Sequence, residues 1–182
     1  MHIEVEEAAI FLSGKFENVT HLQRLAEGCW AQAFSFNCEK GELVLRLSEH
    51  PQDFLKDKFA FEKFNRTAIP IARILETGPF NKNFHYCLSI FCAGLTADKM
   101  LANAIHETAL TIVPSILQPL YHIHQLDTSQ FNGWGLTDGN GNGGWPSWPD
   151  YLSSLSNQKY RASWQELGRT SWLDSVLFDR LH

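Results

Sequence analysis

Three groups in the first half of the chain could together hold the phosphates of a nucleotide. The turn Gly28-Cys29-Trp30 separates two segments of strand-like alternation, and backbone N–H groups in such a turn can point at phosphate oxygens. Arg46 lies on the next alternating segment, where its guanidinium could neutralise the α- and β-phosphates. Glu62 follows sixteen positions later on a helical segment and could orient that cation. The alternative without a binding role is a surface arginine and a solvated helix glutamate. The turn alone is a weak signal for phosphate binding because it has one glycine.

The residue pattern around these groups predicts a small antiparallel sheet that would position them. Residues 59–61 alternate in a way that would also suit a strand, but a helix is favoured because Pro51 and Asp53 supply a start signal. Gly41 allows a tight connection between the second and third strands. The predicted elements are a helix at 4–16, strands at 21–25, 33–38 and 43–47, a helix at 53–66, and a hairpin of residues 73–77 and 85–91.

The pattern changes at Cys92-Ala93-Gly94, beyond which the chain reads as helical. Pro114 and Pro119 are expected to kink or shorten one of these helices. Residues 132–149, rich in Gly, Asn, Trp and Pro, are predicted to form a loop. Helices are predicted at 95–104, 110–126, 150–156 and 162–181.

Composition excludes several classes of function. The 182 residues carry a net charge of −5, so no nucleic-acid partner is expected. No apolar run is long enough to span a membrane. The acidic start of the chain lacks the basic region of a secretory leader, and the four cysteines form no CxxC pair. We therefore expect a cytoplasmic protein with reduced thiols.

Several stretches together resemble the aminoglycoside phosphotransferase family, in particular its members that act on hygromycin B. The resemblance covers residues 4–160 and implies a protein-kinase-like α+β fold. It implies a five-stranded antiparallel amino-terminal lobe with one helix at residues 1–93, and an incomplete, mainly helical carboxyl-terminal lobe at residues 94–182. It also implies ATP with Mg²⁺ and phosphorylation of a hydroxyl of an aminoglycoside-type antibiotic. The matching stretches are Leu25-Ala26-Glu27-Gly28, Gln32-Ala33-Phe34-Ser35-Phe36, Leu43-Val44-Leu45-Arg46-Leu47, Phe54-Leu55-Lys56-Asp57-Lys58, Ile69-Pro70-Ile71 and Tyr86-Cys87-Leu88-Ser89 followed by Gly94.

The resemblance assigns roles to residues of the first half. Arg46 matches the position where most kinases carry lysine; arginine keeps the charge but changes the donor geometry. Ser89 falls at the gatekeeper position. Ile90-Phe91-Cys92 falls at the hinge, where backbone groups would bond adenine. With Gly28, Cys29, Trp30 and Glu62 these are the predicted nucleotide-binding residues, and the alternative for residues 89–92 is simple core.

The sequence offers no credible catalytic base or metal site. His124-Gln125-Leu126-Asp127 with Asn132 imitates a kinase catalytic loop, but its His–Asp spacing is one residue too long and it follows the hinge too soon. Residues 138–143 imitate a calcium loop whose twelfth position is Pro149, which has no carboxylate. The chain alone is therefore expected to be inactive. The alternative is a non-catalytic nucleotide-binding or protein-interaction module.

Partners beyond nucleotide follow from the same interpretation. An aminoglycoside is a possible ligand. The last predicted helices are rich in Trp and Leu, so their apolar faces are expected to pair in a homodimer or to meet a missing carboxyl-terminal segment.

Overall fold

The computed structural model of the chain describes residues 2–25, 31–96, 99–100 and 106–155. The chain forms two compact units, Met1–Asp127 and Thr128–His182. The lobe boundary predicted near residue 93 stays a prediction.

The first unit is built on a five-stranded sheet, as predicted. Each neighbouring pair of strands is antiparallel, and the spatial order is β1-β2-β3-β5-β4. Gly41 takes a φ of +96° in the tight turn between β2 and β3, a conformation that glycine adopts without steric cost. The strands are β1 Thr20–Arg24, β2 Gln32–Cys38, β3 Gly41–Ser48, β4 Ile74–Pro79 and β5 His85–Ile90.

One face of the sheet forms the main core with the first helix, α1, Val5–Ser13. Alternate residues along β3 share a face, so Leu43, Leu45 and Leu47 all point into this core. Ala8 and Leu12 of α1 are fully buried against them, and the helix predicted at residues 4–16 is confirmed. The other buried members of the cluster are Ile3, Phe34, Phe36, Phe84, Tyr86 and Leu88.

The opposite face carries the second helix, α2, Pro51–Phe64. The register of β3 and β5 places Arg46 opposite Cys87 and Val44 opposite Ser89 on this face. Phe54 of α2 packs with Ile74 and Cys87 in a second, smaller cluster. The helical interpretation of residues 53–66 is thereby confirmed, because the segment covers the sheet instead of extending it.

The third helix, α3, His106–His124, contains both Pro114 and Pro119 and is ended by neither. The helix predicted at 95–104 lies partly outside the described residues, and the helix predicted at 162–181 lies wholly outside them. None of the described helices is long and apolar enough to cross a membrane.

The second unit contains a hairpin where a loop was predicted, so that prediction is wrong for part of residues 132–149. Strands β6, Trp134–Thr137, and β7, Gly143–Trp145, pair antiparallel and precede α4, Trp148–Leu155. Asp138 closes the turn, since its Oδ1 accepts the N–H groups of Asn140 and Asn142. The calcium-loop pattern at this point is thus a turn between two strands.

Candidate functional site

A cleft of about 520 Å³ lies on the α2 face of the sheet. We call it the sheet cleft. Its lining comes from the residue after β1, from β3 and α2, from the approach to β4 and its first residue, and from the end of β5 with the segment after it. Most of the lining is apolar, and Arg46 and Asp57 are its charged members among the described residues. The lining residues are Leu25, Val44, Arg46, Asp57, Ala60, Pro70, Ile71, Ala72, Ile74, Ser89, Ile90, Phe91 and Cys92.

Arg46 is held on three sides. Its Nη2 donates to Asp57 Oδ2 at 2.7 Å and to Cys87 Sγ at 3.2 Å. Its guanidinium carbon lies 5.3 Å from the centre of the Phe54 ring, within the range of a cation–π contact. The three partners come from α2 and β5, so two separate elements fix one side chain.

The charges of this group balance. Burial acts to lower the pKa of Arg46, but Cys87 and Asp57 outweigh it and the pKa is raised above its ordinary value. Burial also raises the pKa of the Cys87 thiol, against the opposing effect of Arg46. Asp57, at 2.7 Å, supplies the carboxylate charge that balances the guanidinium.

Glu62 does not partner Arg46, so the predicted Arg46–Glu62 pair is wrong. Glu62 is exposed, and its Oε1 lies 3.9 Å from Lys58 Nζ, one helical turn away. Residues five apart on an α-helix point in directions about 140° apart. When Asp57 faces the sheet, Glu62 must therefore face solvent, and it does not line the sheet cleft.

Sequence reasoning missed Asp57, although a signal for it exists. Phe54 is the buried residue of α2, and Asp57 and Phe61 follow it at spacings of three and seven, which places all three on one stripe. Asp57 lies on the apolar stripe that faces the sheet, so it reaches the half-buried Arg46, and Glu62 does not.

Three other predicted residues, Ser89, Ile90 and Cys92, line the sheet cleft. Ser89 is buried. The N–H groups of Ile90 and Phe91 already donate to backbone carbonyls of Arg73 and Glu42, at 3.0 and 3.1 Å. A bound adenine would therefore hydrogen-bond to other backbone groups of residues 89–92. Predicted residues Gly28, Cys29 and Trp30 lie outside the described residues.

The described residues contain no cluster of side chains that could hold a metal ion by itself. No group of three His, Cys, Asp or Glu side chains within them could hold a metal ion. Asp57 is the one carboxylate among the described residues that line the sheet cleft, and Arg46 engages it. The described part of the cleft can bind an anion beside an apolar wall, and it offers no free carboxylate to act as a base.

The sequence and the fold were compared with those of known proteins. No family model matches the chain. The hygromycin-B 4-O-kinase of Escherichia coli is 30% identical over 151 residues, which are 81% of this chain and 42% of that protein. The crystal structure of the aminoglycoside phosphotransferase APH(4)-Ia superposes with a TM-score of 0.77 at 27% identity, over 86% of this chain and 52% of that one. The chain is a partial-length relative of the aminoglycoside phosphotransferases.

A second solved structure of the same phosphotransferase extends the match. A thermostable mutant of APH(4)-Ia, in ternary complex with AMP-PNP and hygromycin B, superposes with a TM-score of 0.73 at 28% identity, over 92% of this chain and 54% of that one. The chain thus spans less than half of the curated relative and about half of the solved structures. The predicted fold, a kinase-like amino-terminal lobe with part of the second lobe, is confirmed.

Proposed function

We propose that this chain carries the nucleotide-binding part of an ATP-dependent phosphotransferase that phosphorylates a hydroxyl of an aminoglycoside-type antibiotic resembling hygromycin B. The observation that carries the proposal is Arg46, held by Asp57 on the floor of the sheet cleft and next to the hinge segment after β5. The aminoglycoside phosphotransferase relatives support it, because their structures contain AMP-PNP or ADP with hygromycin B.

Phosphoryl transfer depends mainly on positioning and on neutralising charge. Arg46 stays protonated and pre-oriented, and Nη2 is occupied by its two acceptors. Its Nε is buried, so the Nη1 N–H groups are the ones that donate to the α- and β-phosphates. The apolar wall formed by Val44, Ile74 and Ile90 takes the base. Mg²⁺, if bound, would neutralise further phosphate charge, and no group of three metal-binding side chains among the described residues could hold it alone.

The proposal separates binding from chemistry. The 182 residues are expected to bind ATP or ADP weakly, with little dependence on Mg²⁺, and to transfer no phosphoryl group alone. The reason is that the described cleft residues include no carboxylate beyond Asp57.

Isothermal titration calorimetry with ATP and ADP, each with and without Mg²⁺, tests the binding. Mass spectrometry of hygromycin B after incubation with ATP tests the transfer. Tight binding that strictly requires Mg²⁺, or a phosphorylated antibiotic, would contradict the division proposed here. Absence of any nucleotide binding would refute the proposal as a whole and favour a protein-interaction module.

A further inference from the structure

Both polar contacts of Arg46 come from the same nitrogen. An arginine Nη2 carries two hydrogens. Asp57 Oδ2 accepts one at 2.7 Å, and Cys87 Sγ accepts the other at 3.2 Å. Nε is buried and has no hydrogen-bond partner among the described residues. Two acceptors on one nitrogen, with the Phe54 ring against the guanidinium, fix the plane of the group as well as its position.

Cys87 is placed for this contact by the sheet register. It lies opposite Arg46 on β5 and is fully buried between Phe54 and Ile74. The sulfur atom at this point accepts a hydrogen bond from Arg46 Nη2. An aliphatic side chain would leave one Nη2 hydrogen without a partner in a largely buried place, and a buried unsatisfied donor is costly.

We propose that Cys87 is a positioning residue for nucleotide binding, whose sulfur completes the two-acceptor hold on Arg46 Nη2 and keeps the Nη1 donors directed at the phosphates. The inference rests on the proposed function, because Cys87 matters to a ligand only if Arg46 meets a phosphate. Cys87 touches no nucleotide itself, and it acts through Arg46.

Calorimetry with ATP, ADP and adenosine on three variants tests the role. Cys87→Val removes the acceptor and adds one methyl group, and we expect affinity for ATP and ADP to fall about fivefold. Adenosine affinity is expected to stay at the wild-type value, because adenosine has no phosphate. Cys87→Ser keeps an acceptor and is expected to restore most of the loss. Cys38→Val makes the same change on β2, outside the sheet cleft, and is expected to leave all three ligands unaffected.

The outcomes distinguish a failure of the positioning role of Cys87 from a failure of the proposed nucleotide binding. If Cys87→Val binds ATP as the wild type does, or if it weakens adenosine and ATP alike, Cys87 is only a packing residue. If the wild type binds no nucleotide, the proposed function fails and the positioning role fails with it.

A second measurement covers the case in which Cys87→Val does not fold. In ¹⁵N NMR spectra of the wild-type arginine side chains, Arg46 is expected to show slowed rotation of its guanidinium and separate Nη2 hydrogens. Averaged Nη signals for Arg46 in the folded wild type would overturn the two-acceptor hold without any variant.

Discussion

Truncating Asp57 to alanine tests which helix carboxylate serves the cleft. The change removes the acceptor at 2.7 Å from Arg46 Nη2. A hydrogen bond to a charged group contributes about 1.5–3 kcal/mol. The two side chains are 29% and 41% exposed, so solvent screening reduces this to roughly 1–2 kcal/mol. Without this hydrogen bond Arg46 is less well oriented, so its interaction with a phosphate should weaken by a similar amount.

An opposing effect must be subtracted. The Asp57 carboxylate repels the phosphate that Arg46 would bind, and its removal relieves that repulsion. Across a guanidinium, at a separation of roughly 7 Å in water-like surroundings, the repulsion is about 0.6 kcal/mol. Orientation therefore outweighs repulsion by about 1 kcal/mol, and ATP affinity in Asp57→Ala is expected to fall about fivefold.

Calorimetric titration of ATP into matched variants is the assay. Glu62→Ala and Asp53→Ala make the same truncation on the same helix, where the carboxylates pair with Lys58 and Lys56 instead. Both are expected to bind ATP like the wild type. Equal affinities for Asp57→Ala and Glu62→Ala, or tighter binding by Asp57→Ala, would refute the assignment of Asp57.

Three further predictions concern stability. The pKa of Glu76 is lowered, first by its hydrogen bond with Lys15, so the pair contributes stability above the ordinary value of 4.5 and loses it as pH falls through the lower folded-state pKa. Melting temperatures of the wild type and Glu76→Gln should therefore converge between about pH 6 and pH 3, and curves that stay parallel would contradict this. Leu12→Ala empties a fully buried position and should lower the free energy of unfolding in urea by roughly 2–5 kcal/mol. Gly143→Ala puts a Cβ 2.2 Å from a backbone nitrogen of the facing strand and should weaken the near-ultraviolet circular dichroism of the tryptophans; Gly144→Ala, with its nearest neighbour 4.0 Å away, should not.

The sheet could be predicted from sequence because its signal is local. Leu43, Leu45 and Leu47 alternate with Val44 and Arg46, and a strand buried on one face must show that alternation. All five strands of the first unit were located to within one or two residues. Arg46 was found for the same reason, since a charged residue on the second face of a central strand stands out.

The partner of Arg46 could not be found from spacing along the chain. Which carboxylate of α2 meets the sheet depends on how the helix is rotated, and Phe54 sets that rotation by entering the second cluster. Tertiary packing of Phe54 therefore determines that Asp57, and not Glu62, faces Arg46. The β6–β7 hairpin was missed because its strands are only four and three residues long and glycine-rich, too short for alternation to show.

The charge of the chain does not favour the approach of a polyphosphate to the sheet cleft. The protein is acidic overall, with a net charge of −5, and Arg46 and Asp57 cancel each other locally. Long-range attraction therefore cannot bring a polyphosphate to this site. Any affinity for nucleotide must come from short-range geometry, namely a guanidinium whose position is set by β3, β5 and α2 before the ligand arrives. Pre-orientation of this kind lowers the entropic cost of binding, which is why the contacts of Asp57 and Cys87 matter more here than the number of positive charges.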